Sequence, residues 1–544
     1  MKVSRITATQ NEIMLHIDGT ISDGISASAY VPLICGDAEQ KYTGRLLAES
    51  SLVRDGHIIF PRIHDGYDLL TCRFEVKADG KEICGVRYVT DFSNDFSRDN
   101  SPEPYVRKPV GTWVTALEED IDILDLGCMM TEINSAWIQT LSPSSEDIVH
   151  VWNGKEYYFD KKFMDIYDKL MIPCIKRNIP CLIRLINRPS YRLRSSDDTL
   201  MSIIRHPCYE DTGFSEQMSA FNIRTEDGLD MYCAFVDFIC ARYVDKSSPL
   251  CCAYVLDVGN EINTPDTWHN CGPMRCEDYM EEYTQQLRLA HLIAHKYYAH
   301  SRVNISLDHH FNMRLKPDEL RYYTARECLA YLAKYSRRDG DFDWGIAAHP
   351  YPENLSLCDF YNDTTATFSF YTPRITMKNM EMWQHIVELD EFRFRGTPRR
   401  VVFDEQGFHT RDDDPETENK GAYAFVLAYV KLRNSQNLDW FLINRYADMP
   451  LDDESSLHLG LRYEKGYADD EHLFIIPGDY KKICFAIRDM ETDGEQTWID
   501  EARDYIGAEL FDGLVSPPTH NKFPPKFNLI YTHCIALTKS DCSY

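Results

Sequence analysis

The first hundred residues alternate apolar and polar side chains with the period of two that is typical of a half-buried β-strand. Residues 12–18 show this alternation, and residues 72–76 repeat it shortly before an Asp79-Gly80 pair that is typical of a hairpin turn. Short strands separated by turn signals every eight to twelve residues are typical of two packed sheets. We therefore predict an N-terminal β-sandwich over residues 1–100.

After a polar, proline-containing linker at residues 95–104, the pattern changes to continuous apolar runs that alternate with helical periodicity. Continuous apolar runs indicate parallel strands that are buried on both faces. We predict helices at 279–300 and 422–432, among others. The predicted strands are 111–116, 128–135, 179–187, 252–261, 303–309, 344–349, 401–405 and 438–444.

Eight strands that alternate with helices predict an α/β fold, the (β/α)8 TIM barrel, here over residues 108–510. Residues 511–544 would form a C-terminal extension. Two insertions are expected: a hairpin at Asn153-Gly154, and an irregular loop over residues 189–226 that could overhang the active face.

The charge balance limits the classes of partner. A formal net charge of −28 argues against nucleic acid, which is bound through clustered Lys and Arg, and against an anionic membrane surface. No apolar run of about 18 residues predicts a membrane-spanning helix. The N-terminus shows no signal-peptide core, so we expect a cytoplasmic protein, although a secreted protein trimmed of its signal would look the same. The oligomeric state stays open.

The chain contains 18 cysteines, most of them inside periodic segments where buried thiols are expected. Cys271 and Cys276 lack the second Cys or His pair of a structural zinc site. We therefore expect no structural zinc, and the carboxylate chemistry described next needs no metal and no cofactor.

Two glutamates carry the chemistry that the sequence suggests. Glu261 ends the fourth predicted strand and Glu405 ends the seventh. The strand tips form the active face of a barrel, and these two strands lie nearly opposite each other. A pair of carboxylic acids on either side of one bond is what glycoside hydrolysis requires. Taken singly, each glutamate could instead cap a helix or pair with an arginine.

Four motifs carry a resemblance to a known group of enzymes. They are residues 256–263, which include Asn260-Glu261, residues 306–310, residues 343–355 and residues 404–408. They resemble the clan A glycoside hydrolases, which are retaining barrels, and more specifically an uncharacterised bacterial family of glycoside-hydrolase-like barrels.

The resemblance implies that Glu261 is the acid/base and Glu405 the nucleophile, and that Tyr351 hydrogen-bonds the nucleophile. One departure concerns the end of strand eight, where many clan members place a Trp and this chain has Asn444-Arg445.

Further polar and aromatic residues near the strand tips are candidates for substrate binding. Asn260 could bond a sugar 2-hydroxyl. His349 and Tyr351 alternate on one extended segment and could both face the pocket. The remaining candidates each have a structural alternative: His309 (contact or buried histidine), Asn134 and Asn187 (contact or cap), Trp268 (sugar platform or loop cluster), and Arg445 or Arg188 (orienting a carboxylate or forming an ion pair).

We predict a retaining glycoside hydrolase whose substrate is an oligosaccharide or glycoside. The alternatives are a non-catalytic carbohydrate-binding protein and a transglycosylase that uses the same two carboxylates. The sandwich would either pack against the barrel or bind carbohydrate itself.

Overall fold

The computed structural model describes residues 1–20, 24–34, 44–189, 198–411, 414–449, 457–468 and 475–516. Its main element is a closed barrel of eight parallel strands in sequence order. The strands are Val110–Trp113, Cys128–Asn134, Cys181–Ile186, Ala253–Val258, Arg302–Leu307, Trp344–Ala348, Val401–Gln406 and Leu438–Ile443. The first and last strands close the barrel, with Gly111 opposite Leu442.

Helices follow the strands around the outside of the barrel. They are Glu118–Ile123, Lys161–Arg177, Glu226–Tyr243, Cys276–Ala294, Ala325–Asp339, Glu381–Val387, Pro415–Asn434 and Lys482–Asp489, with Glu495–Ile506 and Ala508–Val515 after the last of these. Short helices at Ser135–Ile138, Asp198–Ile204 and Pro265–Trp268 lie in the loops. The predicted (β/α)8 barrel is confirmed, and each of the eight predicted strands is present.

The apolar runs become barrel strands because both of their faces are covered. All six residues of Cys181–Ile186 and of Ala253–Val258 are buried, between the barrel interior and the surrounding helices. A few charged side chains interrupt these runs, among them Arg184, Asp257 and Asp404. These buried charges show that the barrel interior beneath the strand tips is polar.

The N-terminal region forms two sheets. One has the strand order Asp91–Phe92, Lys2–Ala8, Glu12–Asp18, His57–Pro61 and Val53–Arg54. The other has the order Lys81–Ile83, Arg73–Ala78, Ile25–Tyr30 and Leu46–Ser50. Inward-facing residues of both sheets, such as Ile13 and Phe74, belong to one hydrophobic cluster, so the sheets share a common core.

This N-terminal region packs on the outer helices of the barrel. Leu292 of helix Cys276–Ala294 belongs to the hydrophobic cluster of the two sheets. The Phe92 ring stacks on His295 with centroids 4.8 Å apart, and the Arg288 guanidinium lies over Tyr88. The predicted packing role of this region therefore has a structural basis.

The two expected insertions differ in outcome. The hairpin at Asn153-Gly154 is confirmed, with strands Ile148–Trp152 and Lys155–Phe159. The segment 189–226 is less irregular than predicted, because helix Asp198–Ile204 lies within it. The apolar residues of this helix pack against Ala136 and Met231, which stabilises it. The polar sequence on either side gave no sign of a helix. Residues 190–197 lie outside the described residues.

Helix Ala508–Val515 runs across the predicted boundary at residue 511, and residues 517–544 of the predicted extension lie outside the described residues. The fifteen cysteines in the described ranges are all free thiols. Within the same ranges, no helix is both long and apolar enough to cross a bilayer.

Gly111 allows the first barrel strand to pack closely. A Cβ atom there would lie 1.8 Å from the Cys128 carbonyl oxygen and 2.7 Å from Leu442 Cδ2. We expect Gly111→Ala to lower the free energy of unfolding by about 3 kcal/mol, because the neighbouring atom is backbone that cannot move aside. Urea denaturation followed by circular dichroism measures this.

Gly513→Ala is the matched control, because an added Cβ at this helical position meets nothing within 4 Å. It should stabilise the protein by about 0.5–1 kcal/mol through helix propensity. Equal stabilities of the two variants would contradict the close packing at Gly111.

Candidate active site

The turn after the fourth barrel strand presents Glu261 at the carboxyl end of the barrel. Gly259 has φ +78°, and a Cβ atom there would lie 2.7 Å from the His269 ring. Glu261 itself has φ +36°, a conformation that non-glycine residues rarely adopt. The Ser306 hydroxyl accepts a 3.0 Å hydrogen bond from the Glu261 amide. Backbone strain of this kind is often retained at functional sites.

Glu405, near the end of the seventh strand, is held by three donors. Its Oε2 accepts a hydrogen bond from the Arg184 guanidinium at 2.6 Å. Its Oε1 accepts from the Tyr351 hydroxyl at 3.2 Å and from Asn444 Nδ2 at 3.3 Å. Asn444 is in turn oriented by Trp113, whose indole donates to the amide oxygen at 2.9 Å. The carboxylate of Glu405 is therefore held in one orientation.

His349 lies between the two glutamates. Its Nδ1 is 2.9 Å from Glu261 Oε1 and 3.9 Å from Glu405 Oε2. One ligand atom each from Glu261, His349 and Glu405 lie within 4.8 Å of one another. The two carboxylates therefore face one small space at the mouth of the barrel.

The surroundings move the pKa values of the two glutamates in opposite directions. Burial raises the pKa of Glu261, and the charges of Asp308 and Glu405 add to that effect against the hydrogen bond from His349. Burial would also raise the pKa of Glu405, but the positive charges of His349 and Arg184 outweigh it and lower this pKa. Such a divergence makes Glu261 the carboxyl group that keeps a proton more readily and Glu405 the one that ionises more readily.

Arg184 connects the acidic groups beneath the site. It is fully buried, and besides Glu405 it donates to Asp404 at 2.5 Å and to Glu132 at 3.0 Å. His349 Nε2 lies 3.4 Å from the same Asp404 oxygen. Burial lowers the pKa of His349, but Asp404 and Glu405 raise it well above its usual value, so the ring is cationic.

Asp257 and Asp404 form a second buried pair. Both are 0% exposed, and Asn304 donates to Asp257 Oδ1 at 2.8 Å. Asp257 Oδ2 and Asp404 Oδ1 are each buried without another hydrogen-bond partner in the described residues. Burial and the charge of Asp404 raise the pKa of Asp257 well above its usual value, and the two side chains hydrogen-bond each other. A neutral Asp257 that donates its proton to Asp404 satisfies both oxygens.

Three of the predicted substrate-binding residues lie beside the glutamates. His349 and Tyr351 contact them directly, as described above. Asn260 is 4% exposed, and its Oδ1 has no hydrogen-bond partner among the described side and main chains. A buried amide oxygen without a partner is available to a ligand hydroxyl.

His309 contacts the main chain of Tyr351 rather than either glutamate. Its Nδ1 is 3.2 Å from the Tyr351 carbonyl oxygen, and its ring contacts His310 with centroids 4.4 Å apart. Burial lowers the pKa of His309 to about 3, so the ring is neutral. His310 pairs with Asp308 at 2.7 Å.

Asn134 and Asn187 have structural partners, which is the capping alternative. The Asn134 amide accepts from the backbone of Ala136 and Arg188. Asn187 donates to the Ile204 carbonyl at 3.0 Å. These contacts use the amides to hold loops above strands two and three.

Trp268 ends the short helix Pro265–Trp268 and packs edge-on against Phe214, with centroids 5.7 Å apart. The pair is the loop cluster that the sequence left as an alternative to a sugar platform.

Arg188 and Arg445 were expected either to form ion pairs or to orient a catalytic carboxylate, and Arg188 forms ion pairs. Arg188 contacts Glu132 and Glu216. In the described part of the structure, Arg445 makes no ion pair with an acid. Arg184 orients the carboxylate of Glu405 instead, because its position in the middle of strand three directs its side chain into the barrel.

The cluster of Glu261, His349 and Glu405 is the group of three in the described ranges whose ligand atoms could surround a metal ion. Its donor set fits a cation poorly. Glu405 Oε2 already accepts from Arg184, and a cationic His349 has no lone pair to offer. The cluster fits acid–base chemistry better than metal binding.

Sequence reasoning assigned no role to Arg184, Asp257, Asp404 or Ser306 in the site. A signal was available, because a charged residue inside a continuous apolar strand is rarely tolerated unless it has a partner. The sequence could not show which residues pair with these charges, because the partners come from strands more than 100 positions apart, such as Arg184 and Glu405.

The sequence profile of a family of unknown function (DUF5722) matches residues 103–513. The chain belongs to this family. The match covers the whole barrel, including both glutamates and the residues that hold them. No curated protein matches the chain.

Several solved structures show distant likeness. A family 39 glycoside hydrolase from Bacteroides cellulosilyticus WH2 has 12% identity and a TM-score of 0.42, covering 90% of this chain and 83% of that one. A β-glucosidase from Pyrococcus furiosus has 13% identity, a TM-score of 0.43 and coverages of 72% and 87%. GH5_18 from Streptomyces cattleya, in complex with GlcNAc, has 12% identity and a TM-score of 0.42, covering 76% of this chain and 91% of that one. Likenesses this distant do not establish a shared activity.

The neutral Asp257 has a measurable consequence for stability. Its raised pKa means that the folded protein keeps a proton that the unfolded chain loses above about pH 3.9. The free energy of unfolding of the wild type therefore falls as pH rises above about 3.9. An asparagine at position 257 cannot ionise, yet its amide still donates a hydrogen bond to Asp404. As pH rises above about 5, the free energy of unfolding of Asp257→Asn should therefore increase relative to that of the wild type, by at most about 1.4 kcal/mol per pH unit.

Urea denaturation across this pH range measures the difference in free energy of unfolding. Asp257→Leu is the control, because it removes the donor and should be destabilised at every pH. A difference between Asp257→Asn and the wild type that does not change with pH would show that Asp257 is ionised.

Proposed function

We propose that this protein is a retaining glycoside hydrolase that cleaves an O-glycosidic bond by double displacement. The observation that carries the proposal is the pair Glu261 and Glu405, whose oxygens lie within 4.8 Å and whose pKa values are moved apart. Retaining enzymes place their carboxyl groups about 5–5.5 Å apart, whereas inverting enzymes need about 6.5–9.5 Å to admit a water molecule. One oxygen from each carboxylate within 4.8 Å of the other leaves little room for a water molecule between them, which supports retention.

In the first step, protonated Glu261 gives its proton to the glycosidic oxygen while ionised Glu405 attacks the anomeric carbon. The bond to the leaving group breaks and a covalent glycosyl-enzyme forms. In the second step, Glu261 removes a proton from water, the water oxygen attacks the anomeric carbon, and Glu405 leaves as a carboxylate. No external electron donor or acceptor is needed.

The surrounding residues prepare these steps. Arg184, Tyr351 and Asn444 hold Glu405 in one orientation and stabilise its charge, so that it attacks without prior reorganisation. Asn260 offers a buried amide oxygen to a sugar hydroxyl, a contact that can strengthen in the transition state.

We interpret the two N-terminal sheets as an accessory β-sandwich. Its contacts with helix Cys276–Ala294 support a packing role along the outside of the barrel.

Replacing the nucleophile tests the proposal directly. Glu405→Gln should lower kcat on every cleaved aryl glycoside by at least about 10³-fold, because an amide cannot form the glycosyl-enzyme. Glu319→Gln, an exposed residue in the loop after strand five, should remain fully active. Hydrolysis of a panel of α- and β-linked aryl glycosides measures both variants, and circular dichroism checks folding.

NMR of the first product of the wild type should show the anomeric configuration of the substrate. An active Glu405→Gln, or an inverted first product, would overturn the mechanism. Sugar binding without any turnover would favour the non-catalytic alternative, and products longer than the substrate would favour a transglycosylase.

The pH profile tests the assignment of Glu261. Because its pKa is raised, Glu261 stays protonated above the usual range of a glutamic acid, and wild-type activity should fall only as pH rises through that higher value. The lowered pKa of Glu405 places the acid limb below the usual range. In Glu261→Gln, the alkaline limb should disappear on a dinitrophenyl glycoside, whose leaving group needs no proton.

Added azide should restore turnover of Glu261→Gln and give a glycosyl azide of retained configuration, since azide replaces the water that Glu261 would activate. Persistence of the alkaline limb in Glu261→Gln would assign the acid to another residue.

A further inference from the structure

Arg445 differs from the other arginines of this protein. The side chain of every other arginine in the described ranges has a hydrogen bond, an ion pair or an aromatic ring as a partner, whereas the side chain of Arg445 has none of these there. The contrast is notable in a chain with 86 acidic and 58 basic residues, where a guanidinium readily finds a carboxylate. An arginine without a partner in such a chain is available to a ligand.

The main chain of Arg445 is fixed beside the candidate site. Its amide donates to the Leu459 carbonyl at 3.3 Å, and its carbonyl accepts from the Leu461 amide at 3.0 Å. The preceding residue, Asn444, contacts both Glu405 and Tyr351. The main chain of Arg445 is therefore fixed directly after a residue that contacts the nucleophile.

The charge of Arg445 reaches the site. Burial raises the pKa of the Tyr351 hydroxyl, which bonds Glu405, and the positive charge of Arg445 opposes that rise. The residue is half-buried, and its Nε is buried without a hydrogen-bond partner in the described structure. A partly desolvated guanidinium gains more from an anion than one in open water.

The other charges near the glutamates do not supply a substrate contact of this kind. Arg184 is fully buried, and its guanidinium is engaged with Glu132, Asp404 and Glu405. The positive charge of His349 lies between the two catalytic carboxylates. Among the described residues, Arg445 is thus the cation that directly follows a ligand of the nucleophile, Asn444, and whose guanidinium has no protein partner.

We propose that Arg445 recognises an anionic substituent on the sugar whose glycosidic bond is cleaved, so that the preferred substrates are acidic glycosides such as uronides. This inference rests on the proposed glycosidase activity and adds a substrate class to it. A planar guanidinium fits a carboxylate through two parallel hydrogen bonds, which makes a C6 carboxylate the best matched group. A sulfate ester shares the same chemistry.

The experiment uses pairs of aryl glycosides that differ only at C6. Glucosides are compared with glucuronides and galactosides with galacturonides, in both anomeric forms, with 6-sulfated glycosides as a further arm. For the full-length wild type, we expect kcat/KM to be higher for the acidic member of at least one pair. Preference for a sulfated glycoside over the uronide would support the inference and identify the anion as sulfate.

Variants of Arg445 link this preference to the residue. Arg445→Gln should lower kcat/KM for the acidic substrate by about 10- to 100-fold, the range of a charge-assisted hydrogen-bond pair, and change the neutral substrate by less than about 3-fold. Arg445→Lys should retain part of the preference because it keeps the charge without the planar fork. Arg321→Gln is the control, since Arg321 is already paired with Glu210 and Asp266.

Two results would overturn the inference while leaving the glycosidase proposal intact. One is preference for the neutral member of every cleaved pair. The other is an equal loss of activity on both members in Arg445→Gln, which would assign Arg445 a structural role.

If no glycoside in any pair is cleaved, the proposed function fails, and Arg445 is then tested by binding. Calorimetric titration with glucuronate, galacturonate and the corresponding neutral sugars should show binding of an acid that Arg445→Gln weakens. Equal affinity of the variant and the wild type would overturn the inference in that case as well.

Discussion

The buried guanidinium of Arg184 is the interaction on which the candidate site depends. It lies in the barrel interior and contacts carboxylates from two other strands, Glu132 on strand two and both Asp404 and Glu405 on strand seven. A buried ion pair is a weak source of stability, but removal of one partner leaves an uncompensated charge. Its clearest effect here is geometric, because it fixes Glu405 at the mouth of the barrel and keeps that carboxylate ionised.

The same network explains how several acids coexist in a small volume. Three acids, Glu132, Asp404 and Glu405, contact three cations, Arg184, Arg188 and His349. Asp257 and Glu261 have raised pKa values instead. The two acids with raised pKa values differ in their surroundings. Asp257 is enclosed and hydrogen-bonds Asp404, whereas Glu261 stands at the strand tip, where its side chain is 15% exposed. The raised pKa of Asp257 therefore belongs to an enclosed group, whereas that of Glu261 belongs to a group that a ligand can reach.

Much of the architecture was predictable from the sequence. The continuous apolar runs, such as the one ending in Asp257-Val258, predicted all eight strands, because burial on both faces requires apolar residues at every position. Glu261, Glu405, His349 and Tyr351 were predicted to meet because strand tips converge at one end of a barrel. Helix Asp198–Ile204 was missed, since its stabilising contacts come from distant residues.

The sequence by itself determined the order of strands and helices and the side chains at the carboxyl end of each strand, because both follow from local periodicity. Only the tertiary structure decided which charges pair. Arg184 and Glu405 are 221 positions apart. The apolar run around Arg184 signals that this buried charge needs a partner, but nothing in the local sequence says which carboxylate that partner is. The direction of each pKa shift follows from that pairing and from burial, which exist only after the barrel has closed.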